Sequence, residues 1–300
     1  MSRLFLLCLL LFSGLTQVVA QVPVVDPFPM EYWEWINPSP VGESIADFSV
    51  VDDQVIYGST LGGRIIKTTD GGETWQALGS GTTGWLTGID FIDAETGTVV
   101  GQENLAGVIL RTTDGGWTWQ HQEWEQLAWM EDVDFIDAET GVAVGWSGTI
   151  LWTTDGGQTW NPVDAGTTDR LRSVHLFDAQ TAVIAGGDGL ICRTGDGGQT
   201  WDFPETHTTQ RLESLAFGDD QHGIAVGNNG VVIATQNGGL FWSVRDSGTG
   251  AWLHQAAFLG SDLAAICGSG GAVSVSTSGG LYWDAVTPPA QETLGSVDFT

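Results

Sequence analysis

The chain reads as an all-β protein, a β-propeller of four-stranded blades, and three observations predict it. A unit ending in tryptophan recurs six times, closing at Trp75, Trp119, Trp160, Trp201, Trp242 and Trp283. The interval is 44 residues once and 41 residues four times. A fixed period of about 40–45 residues marks a stacked-repeat architecture. Each unit also breaks into short β-branched and aromatic runs separated by glycine turns, which is the pattern of short strands in an all-β fold. One four-stranded unit cannot bury both of its faces, and radial stacking lets each blade cover the next.

Residues 1–20 read as a secretory signal peptide. Arg3 supplies the charged start, residues 4–15 are almost wholly apolar, and Val18-Val19-Ala20 gives a small-residue exit before Gln21. The apolar run is short for a membrane span, and no later stretch is long and apolar enough to be one. Export is therefore expected, to the periplasm, the extracellular space or the outer surface. Residues 21–32 form a linker, and residues 33–300 the propeller.

Repeat three shows the plan of a blade. Strands are predicted at 132–135, 142–144, 149–152 and 159–163, with turns at 136–141, 145–148 and 153–157. The sequence Phe91-Ile92-Asp93-Ala94-Glu95-Thr96-Gly97 repeats the first of these turns almost letter for letter. Before the first repeat, Glu34-Trp35-Ile36 resembles an outer strand. After the last, 294–299 resembles an inner strand such as 171–176. These two pieces predict a seventh blade, split between the termini and incomplete, so that no sheet edge is left open.

The box that closes each unit reads Thr-Thr-Asp-Gly-Gly-X-Thr-Trp at 68–75, 112–119 and 153–160, with a close copy at 194–201 and worn copies at 235–242 and 276–283. Its aspartates Asp70, Asp114, Asp155 and Asp196 look like site residues, but a short carboxylate also closes its own turn by accepting backbone amides. The glycines permit positive φ, and the tryptophan fills the space between sheets. The box is expected to be structural. Calcium binding at these turns is a minor alternative, since each offers only one carboxylate; no cluster of Cys and His has metal-ligand spacing, and neither metal nor cofactor is expected.

Lysine and arginine total 9 against 37 acids, a formal charge of −28. That field disfavours nucleic acid and anionic membranes. Beyond the leader only Cys192 and Cys267 remain. They lie two repeats apart, and two buried thiols are expected rather than a disulfide.

Antiparallel order places the first turn and the box of every blade on one side. The second turns and the links between blades lie on the other. Binding residues sit preferentially on loops carried by a rigid scaffold. The second side gathers Trp124, Trp129 and Trp146, with Arg170, Arg172 and Arg211, as candidate anchors for a protein or glycan partner; Arg193 is a fourth member of the arginine group. Two first-strand acids, Asp90 and Asp134, are the regular carboxylates a glycoside hydrolase would draw on.

The box resembles the Asp-box, or BNR repeat, of sialidases, sortilin-type receptors, some endoglucanases and photosystem II assembly factors. The whole blade, with a Phe-X-Asp-X-X-X-Gly-X-X-Val-Gly stretch ahead of the box, is most similar to the Ycf48/HCF136 assembly-factor family over residues 33–300. That resemblance implies a seven-bladed, non-enzymatic scaffold without cofactor. It also implies a protein partner: the plant and cyanobacterial forms use an arginine-rich patch of their own to contact the precursor reaction-centre subunit. A glycoside hydrolase or carbohydrate-binding propeller of the Asp-box class is the alternative. Sialidase chemistry needs an arginine triad and a tyrosine nucleophile, and the tyrosines here are only Tyr32, Tyr57 and Tyr282.

Overall fold

The computed structural model describes residues 42–122, 128–286 and 292–299, together with the backbone of Leu6–Leu10, Val19–Gln21 and Glu34–Trp35. It is a β-propeller. Blade three comprises Met130–Phe135, Gly141–Gly145, Ile150–Thr153 and Asn161–Val163 in antiparallel order, within two residues of the strands read from the repeat. The inner strands of the other blades are Ile45–Val50, Trp85–Phe91, Leu171–Leu176, Leu212–Phe217 and Leu253–Leu259. Blade four has three full strands, and its outer edge is the single bridge Arg193–Asp202.

Six blades, not seven, are built from the tryptophan-ended repeats. After Trp283 the described chain contributes one more strand, Leu294–Phe299, which packs beside the inner strands of blades six and one. It therefore fills the gap in the ring of inner strands. Its sheet continues through Leu6–Leu10 and Val19–Gln21 to Glu34–Trp35. Glu34–Trp35 is thus an outer strand, as its sequence suggests. The two middle strands use the same residues that read as a leader and its exit.

The core lies between blades rather than within them. Tyr57, Ile65 and Leu78 of blade one pack against Leu86, Phe91, Val99 and Leu110 of blade two. Val183, Ala185 and Ile191 of blade four meet Leu212, Ile233 and Trp242 of blade five. Cys192 and Cys267 are both buried; the Cys267 thiol donates to Leu294 O (3.7 Å), and burial pushes the Cys192 thiol up to about 12.

The four boxes that carry an aspartate are wired in one way. In blade three, Thr153 Oγ1 donates to Asp155 Oδ1 (2.9 Å) and accepts from Gly157 N–H (2.9 Å). Asp155 accepts from Thr159 N–H (2.9 Å) and Thr159 Oγ1 (2.6 Å). The first glycine of the box, at positive φ, then donates its N–H to the first turn of the same blade. These bonds are Gly71 to Gln54, Gly115 to Glu95, Gly156 to Glu139, Gly197 to Gln180, Gly238 to Gln221 and Gly279 to Asp262. Box and first turn therefore share one face.

Candidate functional site

The opposite face is organised around the axis. In every inner strand the pairing skips one residue: between Ile45 and Asp47, Leu86 and Gly88, Met130 and Asp132, Leu171 and Ser173, Leu212 and Ser214, and Leu253 and Gln255. The skipped residues are Ala46, Thr87, Glu131, Arg172, Glu213 and His254, joined by Gly295 of the closing strand. A bulged residue is released from the ladder and re-aimed. All seven line one cavity of about 240 Å³ at the mouth of the axial channel. The ring is lopsided: Gly295, Ala46 and Thr87 are small, whereas the other four are large and polar.

The residue just before each inner strand forms the rim. Its carbonyl is held by the second turn of the same blade: Trp146 N–H donates to Trp129 O (2.9 Å), Gly187 to Arg170 O (3.0 Å), Asn228 to Arg211 O (3.1 Å) and Ser269 to Trp252 O (2.8 Å). This fixes Trp129, Arg170, Arg211 and Trp252 at equivalent stations. Trp129 packs on Trp146 with ring centres 4.6 Å apart and meets Trp85 edge-on at 6.4 Å. The Arg170 guanidinium lies 4.5 Å over the Trp146 ring, and that of Arg211 lies 4.7 Å over Trp252.

Two glutamates tie these groups together. Glu131 accepts from the Trp146 indole and pairs with Arg170 at 2.6 Å. Glu213 pairs with Arg172 at 2.6 Å, takes the Arg211 Nε on its other oxygen, and accepts from Trp252 Nε1 at 3.1 Å. His254 bonds Ser269 Oγ at 2.9 Å, and burial holds its imidazole below the usual range.

Five of the six candidate anchors thus meet at one rim: Trp129, Trp146, Arg170, Arg172 and Arg211. Trp124 lies outside the described residues. Arg193 does not join them; its Nε donates to Gly238 O (2.9 Å) on the box face. Glu131, Glu213 and Trp252 complete the cluster, and nothing in their sequence pattern singled out Glu213.

Deeper in the channel, carboxylates stitch neighbouring inner strands. Asp90 Oδ2 accepts from Phe135 N–H (2.8 Å) and Asp134 Oδ2 from Leu176 N–H (2.6 Å); Asp47 and Asp132 bond Ile89 and Val174 in the same way, at 3.2 and 2.9 Å. Ser49, Ser173 and Ser214 do the same work elsewhere, on Phe91, Leu215 and Ala256. Asp90 and Asp134, the acids a hydrolase would draw on, are therefore committed between blades. Burial raises Asp132 to about 7 and Asp134 and Asp298 to about 6. Burial, then neighbouring carboxylates, lift Asp47 and Asp90 well above the ordinary range.

These directions set a pH dependence. A carboxyl whose folded pKa is raised stabilises the fold when protonated, and that contribution is lost as pH climbs from the unfolded value near ~4 to the folded one. The box aspartates run the other way. Threonine hydrogen bonds hold Asp70, Asp114, Asp155 and Asp196 below the usual range, so their contribution is lost as pH falls. The melting temperature is expected to peak at roughly pH 4 and to decline as pH rises from there through pH 6–7. Replacing Asp132 with Asn, which still accepts from Val174, should flatten the decline in a thermal-shift series. An unchanged slope would show that axial titration does not govern it.

The molecule is thus a β-propeller whose axial mouth is ringed by tryptophan and paired arginine and glutamate. Residues 118–205 match the family model described as photosynthesis system II assembly factor YCF48. A comparison with curated proteins found no match. A solved structure of YCF48 bound to D1 peptide is similar over 88% of this chain and 86% of its own, at 20% identity and a TM-score of 0.69. YCF48 from Cyanidioschyzon merolae covers 85% of this chain and 88% of its own, at 20% identity and a TM-score of 0.67. The GH74 enzyme of Niastella koreensis matches 85% of this chain but 46% of its own, at 16% identity and a TM-score of 0.60. The resemblance to the Ycf48-type assembly factors therefore rests on the sequence of residues 118–205, and the likeness in structure establishes the fold.

Proposed function

We propose that this chain is an exported, non-enzymatic scaffold of the Ycf48 type that binds a segment of a protein partner across the axial mouth. The observation that carries the reading is the delivery of Trp129, Trp146, Arg170, Arg172 and Arg211 by successive blades to one rim. Tryptophan and arginine are the residue types that dominate binding energy at protein interfaces, and here both are held rigidly by backbone bonds from the second turns. A similar propeller with a peptide bound supports a peptide segment as the ligand. In this reading the strand Leu294–Phe299 completes the wall of the mouth through Gly295. The boxes fasten blades on the far side and take no part in this contact.

The test is capture from the exported fraction of the source organism with parent protein and with a Trp129→Ala/Arg170→Ala variant. Both residues are partly exposed, so the variant is expected to fold with a nearly unchanged melting temperature and to lose the partner. A variant that captures the same partner as well as the parent would remove the mouth from the function. Turnover of a β-glucan by the parent would move the chain to the hydrolase class.

A further inference from the structure

On the face opposite the mouth, two boxes depart from the rest in a matched way. In the four regular boxes the second aspartate oxygen accepts a threonine hydroxyl. The pairs are Asp70–Thr74 (2.5 Å), Asp114–Thr118, Asp155–Thr159 and Asp196–Thr200 (each 2.6 Å). In blades five and six the acceptor is Asn237 or Ser278, and the threonine position is Phe241 or Tyr282. The backbone bond survives both changes, with Phe241 N–H donating to Asn237 Oδ1 (3.0 Å) and Tyr282 N–H to Ser278 Oγ (2.9 Å). The side chain of the second residue is no longer needed by the turn. In both blades it is an aromatic ring standing in solvent, Phe241 75% and Tyr282 79% exposed, with Leu240 and Val244 exposed beside Phe241.

A turn released from the threonine requirement could carry any polar residue, and two neighbouring blades carry large apolar ones. Exposed apolar groups in a cluster mark interaction surfaces. Their setting is acidic. The two boxes bond the turns that hold Asp219, Asp220 and Asp262, and Asp284 follows Trp283 directly. His222 is held against Asp219 at 2.9 Å. Two cations stand near the blade-five box: Arg193 of blade four donates to Gly238 O (2.9 Å), and Arg245 donates to Ser243 Oγ (2.8 Å). The equivalent residue facing the blade-six box is Ala234, so that box receives no such cation, and the aspartates outnumber the cations across the two loops.

We propose that the box loops of blades five and six form a second docking surface, which takes a basic protein segment bearing apolar side chains. The rings supply the buried anchors, and the surrounding carboxylates orient the lysines or arginines and exclude acidic partners. This surface is independent of the mouth.

The test restores the two boxes to the regular pattern with Asn237→Asp, Phe241→Thr, Ser278→Asp and Tyr282→Thr. The probe is a short peptide of alternating lysine and leucine, titrated by calorimetry, with a glutamate–leucine peptide as control. The parent is expected to bind the lysine peptide, more weakly as salt rises, and to ignore the control. The restored protein should melt at or above the parent's temperature yet bind roughly tenfold more weakly or worse. It carries two more negative charges, so simple charge attraction would strengthen its binding instead. A Phe241→Ser/Tyr282→Ser variant gives the same reading if the restored protein fails to fold. Equal binding by the ring-deficient protein, absence of binding by the parent, or loss of binding in the Trp129→Ala/Arg170→Ala mouth variant would each overturn the proposal. Ring-dependent binding to neutral lipid vesicles but not to the peptide would also overturn it, in favour of a lipid surface.

Discussion

Replacing Trp242 with alanine is expected to lower the unfolding free energy by about 3–5 kcal/mol, the range for deleting a large buried aromatic. Trp242 is almost wholly buried, and it packs with Val183 and Ala185 of the preceding blade as well as with Leu215 and Ile233 of its own. Its Nε1 donates to Gly239 O at 3.0 Å, and its ring meets Phe217 edge-on at 6.1 Å. The cavity would open between two blades, where neither can collapse without moving the other. Urea unfolding of parent and variant reads the effect directly. A loss under ~1 kcal/mol, the scale of one ordinary hydrogen bond, would show that the inter-blade seam relaxes and that the tryptophan is not its main filler.

Removing Glu213 is expected to cost a similar amount for a different reason. Its side chain and that of Arg172 are each only 10% exposed, and Arg211 shares the same carboxylate. Glu213→Ala would leave two guanidinium groups at the mouth without their common counter-charge, and breaking a buried pair from one side costs about 3–5 kcal/mol. The pair itself need not be strongly stabilising. An Arg172→Met/Glu213→Leu double variant is therefore expected to recover a large part of the loss. If Glu213→Ala unfolds at the parent's urea midpoint, solvent reaches the mouth freely and the network is a surface one.

Much of the molecule was legible in the sequence because it is periodic. The boxes, the strand positions of repeat three and the sharing of a face by box and first turn all follow from residue type at fixed spacing. The mouth was legible in part. Trp129, Trp146, Arg170 and Arg211 stand in links and second turns, which the antiparallel order sends to one side. Glu213 was not legible, because its role depends on a bulge. A bulge is a property of pairing register between two strands, and one strand's sequence does not display it. Arg193 misled for a related reason. It lies in Ile191–Thr194, directly before the box, and its guanidinium reaches the next blade's Gly238 rather than the rim. The repeats build six blades; the split seventh, read from Glu34-Trp35 and 294–299, was expected to lack its middle strands, whereas the closing sheet takes them from Leu6–Leu10 and Val19–Gln21, residues whose apolar composition reads as a leader.

The bulge repeated in all the inner strands separates two tasks that most sheets combine. Each skipped residue is outside the ladder, so its identity is not dictated by strand pairing. The ring already shows the freedom this gives: alanine, threonine, glutamate, arginine, histidine and glycine occupy equivalent stations. The axial mouth is in effect a set of interchangeable sockets on a fixed frame. A new specificity could be grafted there by exchanging the small residues Ala46 and Gly295, while Thr87, whose hydroxyl bridges to Met130 O of the next blade (2.9 Å), is left in place.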